Sequence, residues 1–160
     1  MRKTATVDTF SSEKYSTSEG LSRLRPRILA SFHRHGVRCT SQRYAILEYL
    51  LRNRTHPTAE EIHTAINRAD PRASLATVYK ALHAMANAGL IREMNLGGGA
   101  VRFESHIDRH HHFVCENCGD AEDIPWFDLP ELIASARVGM RKVKTYELVL
   151  RGLCEACSRS

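Results

Sequence analysis

Leu21, Leu24, Ile28, Leu29 and Phe32 recur at intervals of three and four residues, the period that keeps side chains on one face of a helix. The pattern predicts a helix over 21–35, with Gly36 as its stop. A second helix is predicted over 40–52, starting at Thr40, with Tyr44, Leu47 and Leu51 on one face and Ile46 and Leu50 beside them. The third has the clearest start signal: Pro57 precedes Thr58, and Glu61 follows three residues later at capping-box spacing. Ala59, Ile62, Ile66 and Ala69 form its inward face. A fourth helix opens at Ser74, carries Leu75, Val78, Leu82 and Met85 as its apolar stripe and closes near Gly89. Thr77, Tyr79, Lys80 and His83 lie off that stripe.

After the fourth helix the pattern changes. The run LIREMNLGGGAVRFES, residues 90–105, places two short strand-like segments around Gly97, Gly98 and Gly99, which predicts a hairpin. Helices followed at once by a hairpin describe a winged helix-turn-helix, with the fourth helix expected in a DNA major groove and the hairpin along the backbone. Further on, a strand through HHFVC, another near Ala121–Ile124, a helix from Asp128 to about Val138 and a strand in KVKTYELVLRGL make a small α/β unit. The expected fold class is α+β, with an N-terminal winged helix-turn-helix over 21–105 and a small α/β domain over 106–160. Residues 1–20, rich in Ser, Thr and charge without periodicity, are read as a mobile tail.

Composition narrows the setting. The chain has 160 residues, 42% of them hydrophobic, enough for one domain or two small ones with a real core. It carries no run of apolar residues long enough to span a bilayer and no apolar block of the secretory type near its start; a soluble cytoplasmic protein with no membrane partner is expected. Charge is uneven: residues 1–90 hold 14 Lys and Arg against 7 Asp and Glu, a net +7, while residues 91–160 hold 9 against 11, a net −2, together the chain's +5. A basic front joined to a slightly acidic back suggests that the front meets a polyanion such as nucleic acid, the plain alternative being a solubilising surface.

Two Cys-x-x-Cys pairs carry the strongest chemical signal. Cys115 and Cys118 are separated by 35 residues from Cys154 and Cys157, and in a reducing cytosol such pairs bind metal more readily than they cross-link. Two pairs brought together make the tetrahedral thiolate cage that suits Zn²⁺, with no open position, so the zinc is expected to be structural. A pair of redox thiols is the alternative. The histidines ahead of the first pair need separate treatment. On a strand, His110 and His112 share one face and His111 takes the other. Two imidazoles about 7 Å apart along a strand can grip one ion. Glu104 and Asp123 are nearby carboxylates, and the mixed nitrogen and oxygen set suits Fe²⁺, Mn²⁺ or Ni²⁺. A solvated polar face is the alternative for any one of these residues alone.

At this point the chain resembles the ferric uptake regulator superfamily of bacterial metal-dependent repressors, over roughly residues 22–157. The resemblance rests on GVRCTSQRYAILEYL, HPTAEEIHTAI, SLATVYKALHAMANAGLI, the HHHFVCENCGD segment and the final CEAC. It implies a DNA-binding winged helix, a C-terminal dimerisation domain, a homodimer and a double-stranded, pseudo-palindromic operator. It also implies a structural Zn²⁺ on Cys115, Cys118, Cys154 and Cys157, and a regulatory Fe²⁺ or Mn²⁺ on His56, Glu104, His110, His112 and Asp123. For DNA it implicates Tyr79 and Lys80, with Arg38 as a minor-groove contact. Thr77, on the same helix, and Arg43 are further candidates.

Within the family, zinc sensors employ a regulatory cysteine, whereas the spare Cys39 here reads as a small buried hydrophobe. Iron-uptake members carry glutamate at the Asp123 position and a further metal site whose histidines here are Arg109 and Tyr146. The three-histidine, two-carboxylate set is similar to that of the peroxide-sensing branch, although Glu104 stands where aspartate is common there. The implied function is a metal-dependent repressor, not an enzyme, that releases DNA when peroxide and bound Fe²⁺ oxidise His56 or His110. An iron-uptake regulator is the runner-up. A zinc deaminase would need a His-x-Glu and a Pro before Cys115, where Val114 stands, and a protein- or RNA-binding zinc module would not depend on Tyr79.

Overall fold

The computed structural model describes residues 18–53, 55–68, 73–97, 99–129 and 145–159. The expected mobile tail lies mostly outside these residues, as do Ala69 and nearly all of the helix expected from Asp128. The chain divides into two compact units, one ending at Asp108 and the other starting at Arg109.

Among the described residues, the first unit holds four helices and a hairpin: α1 Ser18–Arg34, α2 Ser41–Arg52, α3 Ala59–Ile66, α4 Leu75–Asn87, β1 Arg92–Met94 and β2 Arg102–Glu104. Ser18, Glu19 and Gly20 therefore belong to the first helix, not to the tail. Each of the three later helices starts at a hydroxyl that accepts a bond from a backbone N–H of the first turn: Thr40 from Arg43, Thr58 from Glu61, and Ser74 from Thr77. The Thr58–Glu61 pair forms the full capping box. At the far ends of α1 and α4, Gly36 and Gly89 adopt φ of +66° and +72°, the left-handed turn that glycine takes without strain and that lets the chain reverse.

The core gathers Leu24, Ile28, Phe32, Ile46, Leu50, Ile62, Val78, Leu82, Met85 and Phe103, all nearly inaccessible. Leu29 is a departure: expected on the inward stripe of α1, it is exposed, because Leu24, Ile28 and Phe32 at four-residue spacing already fill the narrow face that α1 buries. On α2 the buried face is Ile46, Leu47, Leu50 and Leu51, and Tyr44 sits at its edge. The β1–β2 pairing is antiparallel with Arg92 opposite Glu104. Thr58 adds a bridge to Arg102, and the Phe103 N–H donates to the Pro57 carbonyl at 2.9 Å. The segment leading into α3 thus lies alongside β2.

The second unit holds β3 His110–Cys115, β4 Ala121–Pro125, β5 Val149–Gly152 and the short α5 Glu155–Ser158. Its sheet has the order β4-β3-β5, antiparallel between β3 and β4 and parallel between β3 and β5. The parallel pairing decides the zinc geometry: both strands exit at the same end, with Cys115 opposite Gly152, so the two Cys-x-x-Cys turns meet there. The N–H of Glu116 donates to the Gly152 carbonyl at 2.8 Å and locks the two exits together. No helix among the described residues is long and apolar enough to cross a membrane.

Candidate functional site

The four paired cysteines converge as the sequence predicts. One sulfur from each of Cys115, Cys118, Cys154 and Cys157 lies within 4.8 Å of the others, the span of a tetrahedral thiolate cage. The turn that presents the first pair is closed by Cys115 N–H to the Asp120 carbonyl and by Gly119 N–H to the Cys115 carbonyl, with Gly119 at φ +77°. Backbone N–H groups of Cys118 and Cys154 lower the Cys115 thiol to about 6, well into thiolate territory. Cys118 is pushed up to about 12: the Asp120 backbone N–H pulls it down, but the neighbouring thiols and burial outweigh that. Without a cation, Cys115 is the comfortable thiolate while Cys118 and Cys154 resist ionisation, as neighbouring like anions must. A divalent soft-ligand metal removes that repulsion, so the donor set suits structural zinc. Asn117 Nδ2 donates to the Cys157 sulfur at 3.2 Å and orients it.

On β3 the histidines separate by face. His110 and His112 place their Nε2 atoms 3.0 Å apart, and both rings are buried. Asp123 sits directly opposite His112 in the β3–β4 register, and its Oδ1 lies 3.5 Å from His110 Nε2. His111 faces the other way. It is fully buried among Trp126, Phe127 and Tyr146, with ring centroids 4.5, 4.6 and 5.8 Å away. Its Nδ1 accepts from the Leu148 N–H at 3.3 Å and its Nε2 lies 3.2 Å from the Phe127 carbonyl, so neither nitrogen is available to a metal. Arg109 lies 4.2 Å over the Trp126 ring, and the Tyr146 hydroxyl donates to the Phe127 carbonyl.

In the first unit, His56 and Glu104 form a second buried pair, with Nε2 and Oε2 3.3 Å apart. His56 has φ of +47°, the one non-glycine residue in the left-handed region among the described residues. Such a backbone costs about 1–3 kcal/mol and persists where its surroundings impose it. Here Arg102 Nη1 donates to the His56 carbonyl at 2.8 Å while Pro57 and Thr58 are held along β2, which turns the imidazole toward Glu104. Arg92 Nε lies 2.8 Å from Glu104 Oε1 and its Nη2 reaches the carbonyls of His106 and Asp108.

Of the residues considered for DNA contact, Thr77, Lys80 and Arg38 are exposed, and Tyr79 is partly buried with its ring against the edge of the core. The Tyr79 hydroxyl donates to Glu60 Oε1 of α3 at 2.7 Å; that bond to a carboxylate raises the phenol's pKa and lowers the acid's. Arg43 is engaged locally, its Nη1 donating to the Arg38 carbonyl at 2.9 Å, which rigidifies the turn carrying Arg38. Cys39 is half-buried against the core, and burial pushes its thiol up, as for an inert small hydrophobe.

Two residues escaped the sequence reading. Arg92 was legible in principle, since the hairpin register sets it across from Glu104. Glu147, whose Oε1 lies 2.9 Å from His112 Nδ1, carried no local signal because it approaches through the parallel β3–β5 pairing.

The ferric uptake regulator family matches residues 34–150. The peroxide operon regulator of Bacillus subtilis is 40% identical over 126 residues, covering 78% of this chain and 86% of that protein. Among solved structures, the Campylobacter jejuni peroxide stress regulator is 27% identical with a TM-score of 0.58, covering 86% of this chain and 98% of that one. The Pseudomonas aeruginosa ferric uptake regulator with manganese is 28% identical with a TM-score of 0.59, covering 79% and 96%.

Proposed function

The chain belongs to the ferric uptake regulator family, and from that membership we propose that it is a metal-dependent DNA-binding repressor whose regulatory ion makes it a peroxide sensor. Regulators of this family bind DNA and act as dimers; they are transcription factors, not enzymes. In this reading residues 21–105 are the DNA-binding domain with its hinge, residues 106–160 the dimerisation domain, and the protein works in the cytoplasm as a homodimer on a pseudo-palindromic operator.

Cys115, Cys118, Cys154 and Cys157 hold the structural zinc. His56 and Glu104 from the first unit join His110, His112 and Asp123 from the second around one Fe²⁺ or Mn²⁺. The donor chemistry carries this proposal: three imidazoles and two carboxylates, with no thiol, suit those hard and borderline ions. Ligands drawn from both units make the ion a clamp on their relative orientation, and so on the spacing of two α4 helices in a dimer. Bound Fe²⁺ supplies the reducing power that activates peroxide. The chain supplies the target, the imidazoles of His56 and His110, and oxidation of either ring removes a ligand.

The peroxide branch is favoured over an iron-uptake regulator by the positions of Arg109 and Tyr146. They are built into an aromatic cluster with Trp126 and offer no imidazole for a further metal. The test is mass spectrometry of the iron-loaded protein after mild peroxide. One added oxygen on His56 or His110, with loss of operator binding, is the expected result. An unmodified protein that still responds to iron starvation would move the assignment to the iron-uptake type.

A further inference from the structure

Two consecutive residues, Glu147 and Leu148, place groups of opposite character against the Nδ1 atoms of adjacent histidines on β3. A neutral imidazole carries a single proton, and a metal takes the nitrogen that lacks it. His111 receives the Leu148 N–H on Nδ1, so its proton sits on Nε2, facing the Phe127 carbonyl. His112 is the reverse case. Its Nδ1 lies 2.9 Å from Glu147 Oε1, paired by charge rather than by an aligned hydrogen bond, and a negative carboxylate favours the proton on the nitrogen that faces it. The proton is therefore drawn to Nδ1, and Nε2 is left bare, on the side where His110 Nε2 lies 3.0 Å away.

We propose that Glu147 is a positioning residue for the regulatory ion, fixing His112 in the tautomer that presents Nε2 and raising the basicity of that nitrogen. The proposal rests on the regulatory-ion reading above, and it adds a carboxylate outside the five ligands. Backbone geometry holds the arrangement: His112 N–H donates to the Leu148 carbonyl at 3.0 Å, extending the β3–β5 ladder, so Glu147 is delivered to the imidazole by the strand that precedes Cys154. A carboxylate behind a metal-bound histidine is a general device, and its loss costs roughly 10–100-fold in metal affinity. Glu147 is 42% exposed on its side chain, so solvent screens its charge and the low end of that range applies.

The experiment uses the full-length, zinc-loaded protein. Long-range nitrogen–proton NMR correlations before Mn²⁺ addition report the tautomer of each histidine, and a Mn²⁺ titration gives affinity. The parent is expected to show Nδ1–H on His112 and Nε2–H on His111. In Glu147→Ala the His112 proton moves toward Nε2 and the Mn²⁺ Kd rises about tenfold. Glu147→Gln, which keeps an oxygen near Nδ1 but removes the charge, falls between the parent and Glu147→Ala in both readouts. Parent His112 carrying its proton on Nε2, or a Glu147→Ala variant that binds Mn²⁺ as tightly as the parent, overturns the role of Glu147 alone. A parent that binds no Mn²⁺ removes the regulatory-ion reading itself.

Discussion

Replacing His111 by alanine tests how the triple histidine divides its labour. The imidazole is fully buried in a ring cluster, where deleting a large side chain costs about 3 kcal/mol in lost packing and residual cavity. Its two nitrogens also leave the Leu148 N–H and the Phe127 carbonyl without their present partner, at about 1 kcal/mol each. Both lie toward the unit's surface, where water can take up part of the loss, so the net is about 3–4 kcal/mol. For a small domain, each kcal/mol lowers Tm by about 4–8 °C, giving a fall of roughly 15 °C or more in the second unit. Trp126 is the chain's single tryptophan and its ring centroid is 4.5 Å from His111, so its fluorescence follows this unit during thermal unfolding at fixed zinc. His111→Phe, which refills the ring volume, should recover much of the stability and bind Mn²⁺ like the parent. A His111→Ala variant destabilised by less than about 1 kcal/mol would refute the packing argument. Loss of Mn²⁺ binding in a folded His111→Phe would make His111 part of the ion site.

Three further outcomes follow from the geometry. Zinc binding must drive protons off Cys118 and Cys154, whose thiols are raised, whereas Cys115 is ionised above about pH 6; zinc affinity therefore rises with pH, by at least about 100-fold per unit between pH 6.5 and 8 for at least two released protons, as competition with a chelator would show. Thr58→Ala removes one arm of the capping box and should cost about 1 kcal/mol in the first unit, read from denaturant midpoints at unchanged slope. On DNA, Lys80→Ala should weaken binding to all sequences and lower the salt slope by about 1, whereas Tyr79→Ala should lose operator preference; a purely uniform loss in Tyr79→Ala, seen by fluorescence anisotropy, would remove Tyr79 from base reading.

Local rules made much of the chain legible. Ser74, Thr58 and Thr40 announce helix starts because a hydroxyl can satisfy a first-turn N–H whatever surrounds it. Strand alternation likewise separates His111 from His110 and His112 before any partner is known. The paired thiols named their metal by softness and number. Periodicity was less exact about faces: it put Leu29 inside, because the arc that α1 buries depends on how many neighbours pack against it.

Tertiary structure decided what lies beyond the reach of spacing. The parallel pairing of β3 with β5, across a gap of more than thirty residues, brings Cys154 and Cys157 to Cys115 and Glu147 to His112. The bridge of Thr58 to β2 turns His56 into a left-handed backbone beside Glu104. Sequence by itself determined which groups could bind metal and which segments could be helix or strand, since those follow from side-chain chemistry and nearest neighbours. Which groups meet, and which imidazole nitrogen is left bare, depends on strand order and register, and those are set only when the two faces of a sheet are packed.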